Sequence, residues 1–478
     1  SQTRTYNYDS LGRLTSAATP ESGTTSYYYT TSGGGLCSGD PSAVCRRIRP
    51  EANQTNPGVT TTTTYLYDAL NRLTQRQYTG SMSYDTYTYD LSSVWGTNTT
   101  NAKGRMVGAY VNGAATVFPT YDALGRIKQT EQCTPYNCGA TPWTMNYTYD
   151  LAGDMLTETY PTGLTVTNTY NTYQQLTQMT STFVDSQHPS LLAQVSYNSW
   201  GGLATLTNGC AGSGCVQSRE TYDYNNRLQP VRIQLGTTSS SSAYSCRVYN
   251  YYTSLGNPGS CGVPSQGTGD NGNVVGYLYQ DSVNASLTHK ASYAYDGANR
   301  LATASATPFG SGTVSYSQSY NYTSDGSNGR YGNMSCTVGS SGYCPQVTYD
   351  SSTNRINQIG SASAGYDAAG DVTSDGTHTY QWDAKGQLIS VDNGSTATYQ
   401  YDALGQRIRK VVGSEILDSQ YDILGHQVAF GNTVPSFVTW QDFLYAGDRM
   451  AAYYHVGTRF VHPDALGSTT HSTDQAGA

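Results

Sequence analysis

The residues with the most chemical potential in this chain are its many aspartates, its ten cysteines and one loose group of histidines. His455, His462 and Asp464 lie close together and would suit a divalent metal, but they lack a third clear ligand and a helical spacing. Paired carboxylates would suit glycoside hydrolysis. Here, however, Asp recurs in one local context far more often than a catalytic pair needs, and Asp at the first position of a turn has a structural task. "GCAGSGC" (Gly209 to Cys215) is glycine-rich, yet it has no lysine and no helical pattern after it, so it does not read as a phosphate cradle. No catalytic, metal or cofactor site is expected, and the chain reads as a non-enzyme.

The cysteines fall into five neighbouring pairs: Cys37 with Cys45, Cys133 with Cys138, Cys210 with Cys215, Cys246 with Cys261, and Cys336 with Cys344. Their even number and local spacing, without Cys-x-x-Cys or a nearby His, point to loop-closing disulfides and an oxidising compartment. Spacing alone leaves the connectivity between pairs open. Aromatic residues beside Asp and Asn would also suit sugars, with rings stacking on sugar faces and polar groups taking hydroxyls. Most of the 44 Tyr are expected in core and cross-strand packing, which leaves the loop residues Trp95 and Trp143 as the better sugar candidates.

The elements that carry these residues come from one rewritten heptad. "YDALGRI" at Tyr121 returns as "YDSLGRL" at Tyr8, "YDALNRL" at Tyr67, "YDGANRL" at Tyr295, "YDALGQR" at Tyr401 and "YDILGHQ" at Tyr421. Counting from the Asp or Asn, a Gly or Asn stands at plus three: Asp9 with Gly12, Asp68 with Asn71, Asp122 with Gly125, Asp150 with Gly153, Asn198 with Gly201, Asp223 with Asn226, Asp296 with Asn299, Asp367 with Gly370, Asp383 with Gly386, Asp402 with Gly405, Asp422 with Gly425, and Asp464 with Gly467. Gly and Asn tolerate positive φ, and Asp at the first position of a turn can hold backbone N–H groups. The unit reads as strand, Asp-led turn, left-handed residue, strand: a β-hairpin with a bulge-type loop. An aromatic before the Asp and an aliphatic at plus five, as in Tyr8 and Leu14 or Tyr197 and Leu203, are expected to pack as a cross-strand pair. "YNTYQQL" at Tyr170 places Gln174 in the Gly position, and "YDSSTNR" at Tyr349 carries one extra residue.

Composition agrees with an all-β chain. Charged residues are 12% of it and hydrophobic residues 37%, while Tyr and Thr, which suit a pleated half-buried surface, are abundant. The net charge of -8 is spread thinly, and "CRRIRP" (Cys45 to Pro50) is too short a basic run to imply nucleic acid. No apolar run approaches a membrane span. Ser1 lies just ahead of a repeat, which suggests a processed product or a fragment. Sequons at Asn53, Asn98, Asn146, Asn284, Asn321, Asn333 and Asn393 permit glycosylation in a competent host. One hairpin is marginal alone, whereas a row buries a shared face. The expected architecture is therefore one continuous array of antiparallel hairpins without independent domains. Residues 1–345 would carry repeats with Cys-containing insertions at hairpin tips on one edge, 346–452 tightly spaced repeats, and 453–478 a distinct terminal segment.

These heptads resemble the tyrosine-aspartate (YD) repeats of the RHS superfamily, which includes bacterial RHS proteins, toxin-complex shell subunits and teneurin ectodomains. The tail resembles the RHS core segment at Tyr453, Tyr454, His455, Asp464, Leu466, Gly467, Ser468, Thr473 and Asp474. The resemblance implies a sheet that spirals into a shell-like barrel and, in toxin-type members, encloses a C-terminal polypeptide. The preferred functional expectation is a secreted structural scaffold at the cell surface that joins other copies of itself through sheet edges. A cocoon enclosing a toxin polypeptide and an adhesin for surface glycans are the alternatives.

Overall fold

The structure is a computed structural model that describes residues 2–80, 84–239, 243–322, 332–339, 341–432 and 439–477. Among them the only helical elements are two 3-10 turns, Ala285–Leu287 and Asp392–Gly394; the regular remainder is β. Twenty-four strands between Thr5 and Val338 hydrogen-bond into one sheet, and ten between Tyr380 and Asp474 into another. The named strands pair antiparallel with their sequence neighbours. The pairing is interrupted where Val347–Tyr349, Ile356–Ile359 and Ala362–Ser363 form one small sheet and Gly365–Tyr366 and Val372–Ser374 another, and the small hairpin Ser93–Val94/Thr97–Asn98 stands aside while Asp85–Tyr89 pairs with Met106–Val111. The chain is thus all-β and built from antiparallel hairpins.

Packing divides the chain into two compact units. One is built on Ser1–Asn146 and Gln346–Trp440, the other on Tyr147–Tyr322, Met334–Pro345 and Gln441–Ala478. The expected division at 345 and 452 follows repeat spacing. The packing instead pairs each early run of strands with a late one, because the polar contacts described below act across hundreds of residues.

Alternation builds each core. Strand Trp143–Tyr149 buries Met145 and Tyr147 and turns Asn146 and Thr148 outward, and Leu191–Tyr197 likewise buries Ala193 and Val195 and exposes Gln194 and Ser196. Tyr supplies volume that Leu and Phe supply elsewhere: Tyr147, Tyr160, Tyr249 and Tyr251 are buried, the last two packed with Val231 and Ile233.

All five neighbouring cysteine pairs are disulfide-bonded. Their loops are not confined to one edge. In an antiparallel meander successive connections alternate between the two ends of the strands. Cys37–Cys45 sits in the connection from Gly23–Tyr28 to Arg46–Pro50, at the same end as the Asp9 and Asp68 turns. Cys133–Cys138 sits in the connection from Ile127–Cys133 to Trp143–Tyr149, at the opposite end from the Asp122 turn. The expectation of insertions on a single edge is corrected: position follows strand parity, which loop length does not reveal.

One heptad also shifts. In "YDYNNRL" the turn starts at Asn225, not Asp223, with the Asn225 N–H donating to Gln229 O and the Leu228 N–H to Asn225 O. Asp223 instead lies in a strand, where its carboxylate accepts from Arg232 Nε at 2.7 Å. The consequence is that Leu228, rather than Asn226, takes the left-handed position at φ 63°. A leucine there is strained and its side chain is half exposed. Leu228→Asn is expected to stabilise the protein by about 1 kcal/mol, read as a shifted urea midpoint at unchanged slope.

Candidate functional site: the repeat corner and its polar seams

Each corner is a small hydrogen-bonded machine. At Asp9 the backbone N–H donates to Arg13 O, and the Gly12 N–H donates to Asp9 O, both at 3.0 Å. One carboxylate oxygen accepts from the N–H groups of Leu11 (2.9 Å) and Arg13 (3.0 Å), and the other from Arg13 Nε (2.7 Å). Asp68 with Asn71, Asp122 with Gly125, and Asp296 with Asn299 repeat this with Arg72, Arg126 and Arg300. The backbone N–H groups, aided by the guanidinium, hold the carboxyls of Asp9, Asp68 and Asp296 below the usual aspartate value. At Asp367 with Gly370, Asp383 with Gly386, Asp402 with Gly405, Asp422 with Gly425, and Asp464 with Gly467 the backbone bonds are the same and the plus-four residue varies. At Asp150 the Gly153 N–H goes to the carboxylate, at 2.8 Å. Every plus-three residue of these pairs has positive φ. The divergent "YNTYQQL" keeps the geometry with Gln174 at φ 61°, and "YDSSTNR" absorbs its extra residue by placing Asn354 there.

The tyrosine ahead of the Asp has a second task beyond its register opposite the plus-five residue (Tyr8 opposite Leu14, Tyr197 opposite Leu203). Its hydroxyl donates to the carbonyl of the plus-five residue in the preceding repeat. Tyr89 reaches Leu73 O (2.9 Å), Tyr170 Met155 O (3.1 Å), Tyr197 Leu176 O (2.8 Å), Tyr224 Leu203 O (2.9 Å), Tyr401 Leu388 O (2.9 Å) and Tyr421 Arg407 O (2.8 Å). Trp382 does the same through its indole N–H, to Val372 O at 2.7 Å. The plus-four arginine lies over that ring: Arg72 is 4.3 Å from the Tyr89 centroid and Arg300 is 4.2 Å from that of Tyr322. Asp, Arg and the next Tyr thus form a chain that joins hairpin to hairpin. The heptad displays all three residue types, but the partner carbonyl bears no sequence mark.

Inside each unit, buried carboxylates carry polar contacts that join early and late strands, Asp418 through the hydroxyl of Thr134 and Asp85 and Glu220 through their cationic partners. In the first, Asp418 is fully buried and takes both arms of Arg409 at 2.6 Å. Asp85, equally buried, accepts from Lys385 Nζ (2.6 Å) and Tyr78 OH (2.8 Å). In the second, Glu220 accepts from Arg449 (2.6 Å), from Tyr222 OH and, at 2.6 Å, from His462 Nδ1. Burial pushes the Glu220 carboxyl up, but Arg449 and His462 outweigh it and leave the group below its usual value. His462 Nε2 lies 3.0 Å from Thr473 Oγ1. Glu, His and Thr therefore stand in the order of a catalytic triad, and the cavity that Glu220 and His462 themselves line is only about 20 Å3.

The structure separates the loose histidine cluster. His462 faces Glu220, Asp464 caps its own turn and pairs with Arg247 at 3.1 Å, and His455 lies in a turn with its N–H toward Gly457 O. Among the described residues no group of three or more His, Cys, Asp or Glu is arranged to hold a metal ion. Of the remaining tail positions, Tyr454 is buried, with its ring 4.8 Å from that of His188.

The chain matches the family model "Teneurin YD-shell" over residues 275–417. No curated protein matches it in sequence. Among solved structures, a TcdB2–TccC3 complex aligns with TM-score 0.71 at 14% identity, covering 99% of this chain and 25% of that one. A Photorhabdus luminescens Tc holotoxin pore aligns at 0.70 and 14%, covering 99% and 24%. TcdB2–TccC3 without its hypervariable C-terminal region aligns at 0.69 and 14%, covering 100% and 26%. The chain spans about a quarter of the length of these solved chains.

Two outcomes follow from the corner and seam geometry. Tyr197→Phe removes the bond to Leu176 O and is expected to cost about 1–2 kcal/mol in chemical denaturation, whereas Tyr173→Phe, at an exposed ring, changes nothing. Asp442 is buried with one oxygen on Thr162 Oγ1 (3.2 Å) and the other unpartnered among the described residues, and burial pushes its carboxyl up to about 6. A raised carboxyl gives stability that is complete below the unfolded value and is lost as pH rises through the folded one. Stability should therefore fall between about pH 4 and pH 6, and Asp442→Asn should remove that fall and gain about 3 kcal/mol at pH 7 in pH-resolved denaturation. Residues 275–417 thus match the teneurin YD-shell family, and the chain as a whole has the fold of the solved TcdB2–TccC3 structures.

Proposed function

We propose that this chain is a wall segment of a secreted YD-repeat shell, a structural scaffold that performs no catalysis. The observation that carries the reading is the alignment of essentially the whole chain, at TM-scores of 0.69 to 0.71, to about a quarter of much longer shell-type chains. The chemistry of the residues supports it. Aspartates are spent on turns, tyrosines on joining hairpins, and the cavity that Glu220 and His462 of the buried relay line is only about 20 Å3. Five disulfides suit an oxidising, extracellular setting.

A wall segment must continue into something. Strand Thr5–Tyr8 has one partner among the described strands, Leu14–Thr19, and its residues are exposed throughout. An open strand edge pairs readily with another strand, which favours joining to further copies or to further chain. Enclosure of a polypeptide is the variant that the alignment with a Tc holotoxin pore favours over a simple fibre. No helix among the described residues is long and apolar enough to cross a membrane.

Electron microscopy of the purified protein, with light scattering over a concentration series, tests the reading. Hollow particles or a concentration-dependent assembly are expected. A solid, monodisperse monomer at every concentration would overturn it.

A further inference from the structure

Strand Ile127–Cys133 carries one acidic side chain that neither a corner nor a seam employs. Glu131 is 8% exposed, and among the described residues no hydrogen bond or ion pair reaches its carboxylate. Burial acts on the group without compensation and pushes its carboxyl up. The residues directly opposite it are Val117 on one side and Thr144 on the other, so neither neighbouring strand sets a cation there. Other buried carboxylates of the same unit are paired: Asp85 has Lys385 and Asp418 has Arg409. A buried carboxylate without a partner is costly, and a cation bound beside it removes that cost.

Glu131 is not sealed in. It lines a groove of about 440 Å3, within the size range of small-molecule sites and far larger than a bare ion. Trp95 lines the same groove. The hairpin Ser93–Val94/Thr97–Asn98 brings it there, because Val94 is buried against Val107 and Val117, and Val117 is the residue opposite Glu131. Trp95 and Gly96 form the two-residue turn of that hairpin at φ 50° and 79°, the left-handed region that a type I′ turn needs. Gly fits there without cost and tryptophan does not, yet the ring is 43% exposed, so packing does not account for it. The other wall is held by the Cys133–Cys138 disulfide and by Asn137, which accepts from the Thr134 N–H and donates to Thr141 O, both at 3.0 Å. No lysine or arginine lines the groove. One carboxylate is too few for a divalent metal, and among the described residues no group of His, Cys, Asp or Glu is arranged to hold one. An indole face beside a buried anion is instead the recognition set for an organic cation. We propose that the groove between the Trp95 turn and the Cys133–Cys138 loop binds an alkylammonium group, with its N–H groups donating to Glu131 and its methylenes lying on the Trp95 ring. The hydroxyl-bearing residues Thr97, Thr141 and Thr144 line the groove as acceptors for the remaining N–H groups. This site is independent of whether the chain builds a shell wall.

The test is calorimetry on the purified chain at physiological salt, with two cations and one neutral mimic. Butylammonium stands for a free amine, Nα-acetyl-lysine amide for a lysine side chain of a polypeptide, and butanol has the size of the first without its charge. Glu131→Gln removes the charge at constant shape, and Trp95→Asn removes the ring while asparagine accepts the left-handed turn. Saturable binding of at least one cation is expected, weakened at least tenfold in Glu131→Gln and in Trp95→Asn and unchanged in Glu415→Gln, which deletes an exposed carboxylate elsewhere. The tighter of the two cations then identifies the source of the ammonium group. Circular dichroism melts confirm that each variant is folded. No saturable binding of either cation, binding unchanged by Glu131→Gln, or equal binding of butanol would overturn the proposal.

Discussion

The structure depends on one hydrogen bond made repeatedly: a tyrosine hydroxyl donating to the carbonyl at the far side of the preceding corner. Tyr89 to Leu73, Tyr197 to Leu176 and Tyr401 to Leu388 are instances of the same link. A hairpin has its own ladder bonds, but nothing in that ladder ties its end to the next hairpin. The phenol does so across the ring's length, and burial of the ring adds apolar area to the bond. Because the partner is a main-chain carbonyl, the link tolerates any side chain at that position. Leu73, Met155 and Arg407 all serve.

A second constraint is burial of charge. The corners keep their Asp–Arg pairs partly wet, where an ion pair contributes little by itself and the backbone N–H groups do most of the holding. Asp85, Asp418 and Glu220 are different. They sit out of water with cationic partners, from distant segments for Asp85 and Glu220 and from the adjacent strand for Asp418, and removal of one partner would strand a charge. Such pairs add little net stability but strongly penalise wrong pairings, which matters in a chain whose strands look alike. This specifying role fits the observation that the Asp85–Lys385 and Glu220–Arg449 pairs each join an early run to a late one within a compact unit.

The sequence made the corners readable because their requirements are local. Positive φ needs Gly or Asn, and an Asp two and four residues ahead of free N–H groups can only be a turn. The failures came where locality ended. "YDYNNRL" offers two overlapping Tyr-Asx pairs, and only the reach of Tyr224 to Leu203 O selects the second. The edge on which each cysteine loop falls depends on counting strands, including ones with no heptad. The turn at Tyr160, whose N–H bonds to Leu164 O, has a tyrosine where the pattern requires Asp and was invisible. The seams were missed because Glu220, Arg449 and His462 are ordinary residues until the fold brings them together. His462 was noticed for the wrong neighbours.

The alternation of connections between the two strand ends has an evolutionary corollary. A tyrosine corner can meet the previous one only if both lie at the same end of the strands, hence only if an even number of strands separates them. Gain or loss of a complete strand pair leaves every later link in reach. Insertion of a single strand would send all following corners to the opposite border, away from their acceptors. Arrays of this kind should grow and shrink by doublets, with extra loops free to lodge at either border in between.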